Sequence, residues 1–215
     1  MTYDELKTRI ADYLNRSDLG SVIDSFIDQT ESEINRKLRH KDMIKRSTAV
    51  LDNQYSQLPG DWLGAINVDL QTGDPVPLFQ KSLESLDLYR NSIQNTSGQP
   101  KYFAIDGDTL EVCPTPDQSY TIQMTYYAEI PALSSTVSEN FLSRTAPDVY
   151  LYGALKHASV YLMEDERIQF FAGQFEKALE ELRIQQQQGA FGKGSLLVRK
   201  RTYGGKTKPQ YYYKS

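Results

Sequence analysis

"KYFAIDGDTLEVCP", residues 101–114, is the stretch on which the fold turns: two apolar runs flank Asp106 and Gly107, a pairing that reverses an extended chain tightly. It reads as a β-hairpin. Just downstream, "SYTIQMTYYAEIP", residues 119–131, alternates Tyr120, Ile122, Met124 and Tyr126 with Thr121, Gln123 and Thr125. That period of two predicts a strand with one buried and one wet face. Upstream, β-branched and aromatic residues predict further strands near 46–51, 64–70 and 76–79, punctuated by Pro59, Gly60, Gly73, Asp74, Pro75 and Pro77. Between them, Ser82 to Asn91 carries a short helical pattern of Leu83, Leu86, Leu88 and Tyr89, closed by "TSGQP".

Outside this region the period changes to that of a helix. Thr2 and Glu5 have capping-box spacing before Leu6, Ile10, Tyr13 and Leu14, which predicts a first helix to about Asn15. After a break at Arg16 to Gly20, Val22, Ile23, Phe26, Ile27, Thr30, Ile34 and Leu38 form one apolar stripe, with Asp24, Asp28, Glu31 and Lys37 expected to face outward. On the far side, Thr145, Pro147 and Asp148 read as a helix start before Leu151, Leu155, Ala158 and Leu162. A last stripe, Ile168, Phe171, Phe175, Leu179 and Leu182, has Glu176, Lys177 and Glu180 outside and is expected to fray at "QQQQG". A helix pair cannot bury its stripe alone. The predicted fold class is therefore α+β: a four-helix bundle formed by the N- and C-terminal helix pairs, residues 1–44 and 136–190, an inserted antiparallel β domain at 45–135, and an extended basic C-terminal tail at 191–215. The length suits one good core or two small ones.

Charge divides along the chain. Of 24 Lys and Arg, seven fall in residues 191–215, where there is no Asp or Glu, so residues 1–190 hold 17 basic against 28 acidic side chains, a net of −11. The body repels polyanions and the tail attracts something acidic. Cys113 is the one cysteine, which excludes an intramolecular disulfide, and His40 and His157 stand far apart, so no metal-ligand spacing and no cofactor motif is expected. No apolar run approaches the ~20 residues that cross a bilayer, and "MTYDELKTRI" opens as an acidic amphipathic helix. The expected setting is the cytosol, or a particle assembled there.

No catalytic residue is assigned. Glu129 and Asp148 are carboxylates among 28, read as solvated or capping. His157, beside the third helix's stripe, lacks a nucleophile at a readable spacing and reads as a boundary residue. Cys113 is expected in the core, and Trp62 in "LPGDWLGAI" as a packing anchor of the β region. "AIDGD" lacks the strand, loop and lysine of a phosphate cradle.

The tail "SLLVRKRTYGGKTKPQYYYKS", residues 195–215, resists a purely solubilising role. Glycine, lysine and proline favour disorder, yet Leu196, Leu197, Val198, Arg199, Lys200, Arg201, Tyr203, Tyr211, Tyr212 and Tyr213 are the kinds of residue that anchor interfaces. Docking into another subunit, with "SLLVR" as an added strand for one route, is the first expectation. The alternative is a nucleic-acid-binding module acting through this basic tail, by phosphate neutralisation and tyrosine stacking.

The order of parts, with "INRKLR", "YSQLPGDWLGAINV", "QPKYFAIDGDTLEVCPTPDQSYTIQMTYYAEIPALS" and "TAPDVYLYGALKHASVYLMEDERIQFFAGQFEKALEEL", resembles the head-to-tail adaptor (connector) proteins of tailed bacteriophages, the short-tailed type in particular. The resemblance implies a structural virion protein, not an enzyme: a homo-oligomeric ring, commonly a dodecamer, under the portal protein, assembled in the host cytoplasm. It implies a tail nozzle or tail tube protein below, tail fibres in some phages, no membrane insertion, and genomic DNA passing through without sequence-specific binding. Carried onto this chain, it places portal binding in Gly194 to Ser215, which contain the ten tail residues named above. Ring contacts then fall on the helices of residues 1–40 and 145–187.

Overall fold

The computed structural model describes residues 1–16, 18–94, 96–163 and 165–190. The ten tail residues from Leu196 to Tyr213 lie outside them. Among the described residues the chain is α+β, with six α-helices and eight strands.

Helix α1 (Tyr3–Leu14) starts where its capping box predicts: Thr2 Oγ1 accepts from the Glu5 amide at 3.2 Å and Glu5 Oε2 from the Thr2 amide at 3.0 Å. It ends at Asn15, a left-handed residue with φ of 50°. Helix α2 (Ile23–Lys37) buries Phe26, Ile27, Thr30 and Ile34 as expected, and Glu31 with them. That corrects the outward placement of Glu31. Ile27 and Ile34 stand four residues before and three after it, so all three share a face.

After one 3₁₀ turn at Lys41–Met43 the chain builds two sheets. The first has the order β1 (Ile44–Leu51), β8 (Tyr120–Ala128), β3 (Trp62–Thr72), β4 (Asp74–Pro77), all antiparallel. The second runs β2 (Tyr55–Gln57), β7 (Thr109–Cys113), β6 (Tyr102–Asp106), β5 (Phe79–Gln80). Here β5 lies parallel to β6, where a wholly antiparallel domain was expected. Helix α3 (Leu83–Ser92) and its flanking loops separate the two strands in sequence and permit that crossover. Strand β8 alternates as its sequence predicts, and Ile122, Met124 and Tyr126 meet Val68, Leu70, Leu110 and Phe103 in one core. Across the second sheet, α3 covers Ala104 and Cys113 with Leu86, fully buried, and Tyr89, partly so, while Leu88 is 64% exposed. The hairpin between β6 and β7 is present, but Asp106 pairs with Thr109, so its loop is Gly107 and Asp108. Gly107 has φ of +59° and Asp108 does not enter the left-handed region, the pattern of a turn with glycine first.

Helices α4 (Phe141–Thr145), α5 (Pro147–Tyr161) and α6 (Asp165–Ala190) complete the chain. Thr145 ends α4, and Pro147 opens α5 directly. Helix α5 is the hub, packing on α6, α2, α1 and α4, which explains why it is apolar on more than one side. Gly153 permits its approach to α2: a Cβ there would sit 2.3 Å from Thr30 Cγ2. Helix α6 does not fray at the glutamines but continues through them to Ala190.

Candidate functional site

Where α6 points is the first fact about the tail it carries. Arg183 Nη2 donates to the Lys37 carbonyl at 2.8 Å, and Lys37 Nζ bonds Glu176. The C-terminal half of α6 is thereby fastened to the end of α2, seven residues before β1 begins. Side chain to carbonyl bonding at a helix C-terminus is favoured because the last carbonyls lack partners inside the helix.

Two helices share one carboxylate, and a third packs against its lysines. Glu33 accepts from Lys37 at 2.8 Å and from Lys156 of α5, and Lys156 lies over the Phe175 ring of α6 at 4.6 Å. Burial raises the Glu33 pKa, but the two lysines outweigh it and hold the carboxyl down to about 2. His157 Nε2 lies 3.3 Å from Glu33 Oε2 outside hydrogen-bond geometry; burial first, then Lys156, lowers the pKa of the ring. The ring is part-buried at the edge of the helical core, the boundary position its spacing predicts, and shares a shallow pocket with Ser25 and Ser32.

A second buried carboxylate joins the helices to the segment that returns from the sheets. Glu31 is 7% exposed, and its Oε1 accepts from the Leu133 amide at 2.8 Å and from Tyr150 Oη at 3.1 Å. Asn140 Nδ2 donates to Tyr150 Oη at 2.7 Å and to the Pro131 carbonyl at 2.9 Å, and Asn35 Oδ1 accepts from the Ile130 amide at 3.1 Å. Every polar group thus placed in a dry joint has a partner. With no cation beside it among the described residues, burial raises the pKa of Glu31. Alongside lies a cleft of about 760 Å³ whose walls include Asp28, Arg36, Arg39, Lys45, Asp61 and Glu129. Lys45 Nζ is 2.6 Å from Asp61 Oδ2, and Tyr126 Oη donates to Asp61 Oδ1 at 2.9 Å. Basic and acidic groups alternate there and single out no ligand.

The remaining candidates are structural. Glu129 is exposed on the cleft wall, and Asp148 sits in the first turn of α5, where acid suits the dipole. Cys113 is buried under α3, and Arg90 reaches the neighbouring Glu111 at 2.5 Å. Trp62 stacks on Tyr126 with centroids 5.2 Å apart, against the sheet core. The face that Glu31 shares with Ile27 and Ile34 is a signal that spacing carries, but its partners are not; nor does spacing mark Glu33, Lys156 or Asn140, whose tertiary partners lie 9 to 123 residues away. Among the described residues no helix is long and apolar enough to cross a membrane.

The joints of Glu33, Glu31 and Arg183 hold the elements of one chain together. The family model of the SU10 adaptor protein matches residues 1–199, which takes in both helical ends, both sheets and the first part of the tail. The chain belongs to the SU10 adaptor protein family. It is a structural adaptor of phage and a virion component, in a family that is not a class of enzymes. No curated protein matches it.

Proposed function

We propose that this adaptor forms a homo-oligomeric ring, a dodecamer, that joins the portal to the tail nozzle or tail tube and encloses part of the DNA path. In this reading residues 1–44 and 136–190 act as a four-helix bundle that builds the ring, residues 45–135 form the inserted β domain, and residues 191–215 dock on the portal. The observation that carries it is the partition of charge within a family-matched chain: seven cations and no acid in residues 191–215, against a net of −11 before them. A cationic segment free of acid suits an acidic or mixed surface. Repetition of a weak tail contact around a closed ring multiplies its strength, and an acidic wall lets DNA slide without adhering.

The test is a chain lacking residues 191–215, mixed with portal-bearing capsids. Loss of capture, with unchanged helical and sheet content by circular dichroism, is the expected result. Undiminished capture would sink the docking role. Salt-sensitive binding to DNA that vanishes on substitution of Arg199, Lys200 and Arg201 by Ala would replace it with the nucleic-acid reading.

A further inference from the structure

The two sheets expose four edges, and three of them are short: β4 has four residues, Pro75 and Pro77 among them, β2 has three and β5 two. The fourth edge is β1, with eight residues, no proline or glycine, and an unbroken register with β8 from Ile44↔Tyr127 to Leu51↔Tyr120. Along such a strand alternate residues turn their N–H and C=O groups away from the paired neighbour. Among the described residues, Lys45–Leu51 makes no backbone bond except to β8. A long regular edge is a template for a further strand unless prolines, bulges or cover protect it.

The side chains along this edge are ordered by charge. Arg46, Thr48 and Val50 lie opposite Thr125, Gln123 and Thr121 of β8, on the face turned away from the sheet core, and Val50 is 62% exposed there. Ala49 and Leu51 take the other face, Ala49 packed against the core and Leu51 inside it. Arg46 stands near the start of the strand and Asp52 one residue past its end. Both are exposed, and neither has a salt bridge among the described residues; Asp52 Oδ1 accepts from Asn53 Nδ2 at 2.7 Å.

We propose that β1 pairs with β1 of a second copy of this chain, antiparallel about a two-fold axis at Ala49. No other edge of the chain is long enough to cover it. Residues directly opposite in an antiparallel pair either both turn their backbone groups toward each other or both turn them away. These two kinds alternate along β1, so a two-fold axis must run beside a single residue, which then faces itself. With the axis at Ala49, Arg46 faces Asp52 of the second copy and Thr48 faces Val50, and symmetry repeats both pairs. Two opposite-charge pairs and two Val–Thr contacts then line the wet face. An axis at Thr48 or at Val50 would set Arg46 against Val50 or Gln54 and leave both charges unmatched. The paired edges make one sheet of the two, from β4 of one copy to β4 of the other. This interface uses the same surface on both partners and closes at two copies, whereas a ring needs head-to-tail contacts. The inference thus goes beyond the ring reading and concerns the free chain before a ring takes it up.

Sedimentation of the full chain over a micromolar concentration series tests the pair, and a dimer is the expected result. Arg46→Asp and Asp52→Arg each set like charges face to face and should weaken it about tenfold; together they restore opposite pairing and should return the dissociation constant to within about threefold of the parent. Recovery in the double variant distinguishes a lost pair from a damaged fold. Oxidation reads the register. Ala49→Cys should cross-link two chains, since facing Cα atoms lie about 4.5–5.5 Å apart, within disulfide reach. Ser47→Cys, with its two copies about 13 Å apart along the strands, should not. A monomer throughout the series, a dimer indifferent to either charge reversal, a double variant no tighter than the single ones, or faster cross-linking at Ser47 than at Ala49 would each overturn the proposal. Portal capture is read separately. A monomer that still joins portal rings overturns the pair alone; a dimer that ignores portals supports the pair and counts against the ring reading.

Discussion

At the scale of single residues, Glu31 shows how a carboxylate survives in a dry interior. Its Oε1 satisfies the Leu133 amide and the Tyr150 hydroxyl, and removal of the acceptor strands both donors. Glu31→Ala is expected to cost about 2–4 kcal/mol in urea denaturation, whereas Glu31→Gln, which keeps an acceptor and drops the buried charge, stays within ~1 kcal/mol of the parent. A loss as large for Gln as for Ala would mean that the charge itself is needed. Gly153 is limited by space. A methyl there meets Thr30 Cγ2 at 2.3 Å and Phe175 Cε2 at 3.1 Å, so Gly153→Ala should destabilise by roughly 1–3 kcal/mol through overpacking of α2 against α5. An unchanged denaturation midpoint would show that the helices slide apart freely.

Among elements, the contact of α2, α5 and α6 is electrostatic on its outer rim and apolar within. Glu33, held down to about 2 against an ordinary value of 4.5, ties Lys37 and Lys156 together. A carboxyl depressed in the folded state binds its proton more readily when unfolded. Its stabilisation is complete above the unfolded value of ~4.3 and is lost as pH falls through the folded one. The melting temperature of the parent should therefore drop more steeply between pH 4.5 and 2 than that of Glu33→Gln. Parallel slopes would place the acid sensitivity elsewhere. Glu31 acts in the opposite sense, because burial raises its pKa and its protonated form favours the folded chain. Comparison of Glu33→Gln with the parent isolates the first effect, since both retain Glu31.

The whole molecule joins two larger cores and the small cluster under α3. Residues from all four longer helices, with Ile130, Leu133 and Leu142, make one, and the facing sheets make the other. The returning segment at 129–140 is pinned to α2 by Asn35 and Glu31, and α6 is fastened to the end of α2 by Arg183. Such pinning fixes the returning segment and α6 against one helix. Sedimentation of the purified chain, alone and with portal rings, should show it joining the rings in a fixed ring stoichiometry. A chain that ignores portals yet shifts on DNA would transfer the function to the basic tail as a nucleic-acid binder.

Local rules sufficed for much of this protein. The capping box of α1, the alternation of β8, the stripes of α2 and α6 and the charge of residues 191–215 are properties of neighbouring residues, and periodicity reports them directly. The order of those elements also carried the resemblance to phage adaptors, and the family match bears it out. What only the tertiary structure decided depends on residues distant in the chain. Glu31 was read as outward because charge usually seeks water, and its partners at Leu133 and Tyr150 lie 102 and 119 residues away. The parallel β5 and β6 and the division into two sheets are likewise matters of pairing. A strand's own residues determine which face it buries, but which neighbour meets its backbone depends on every other strand competing for that place.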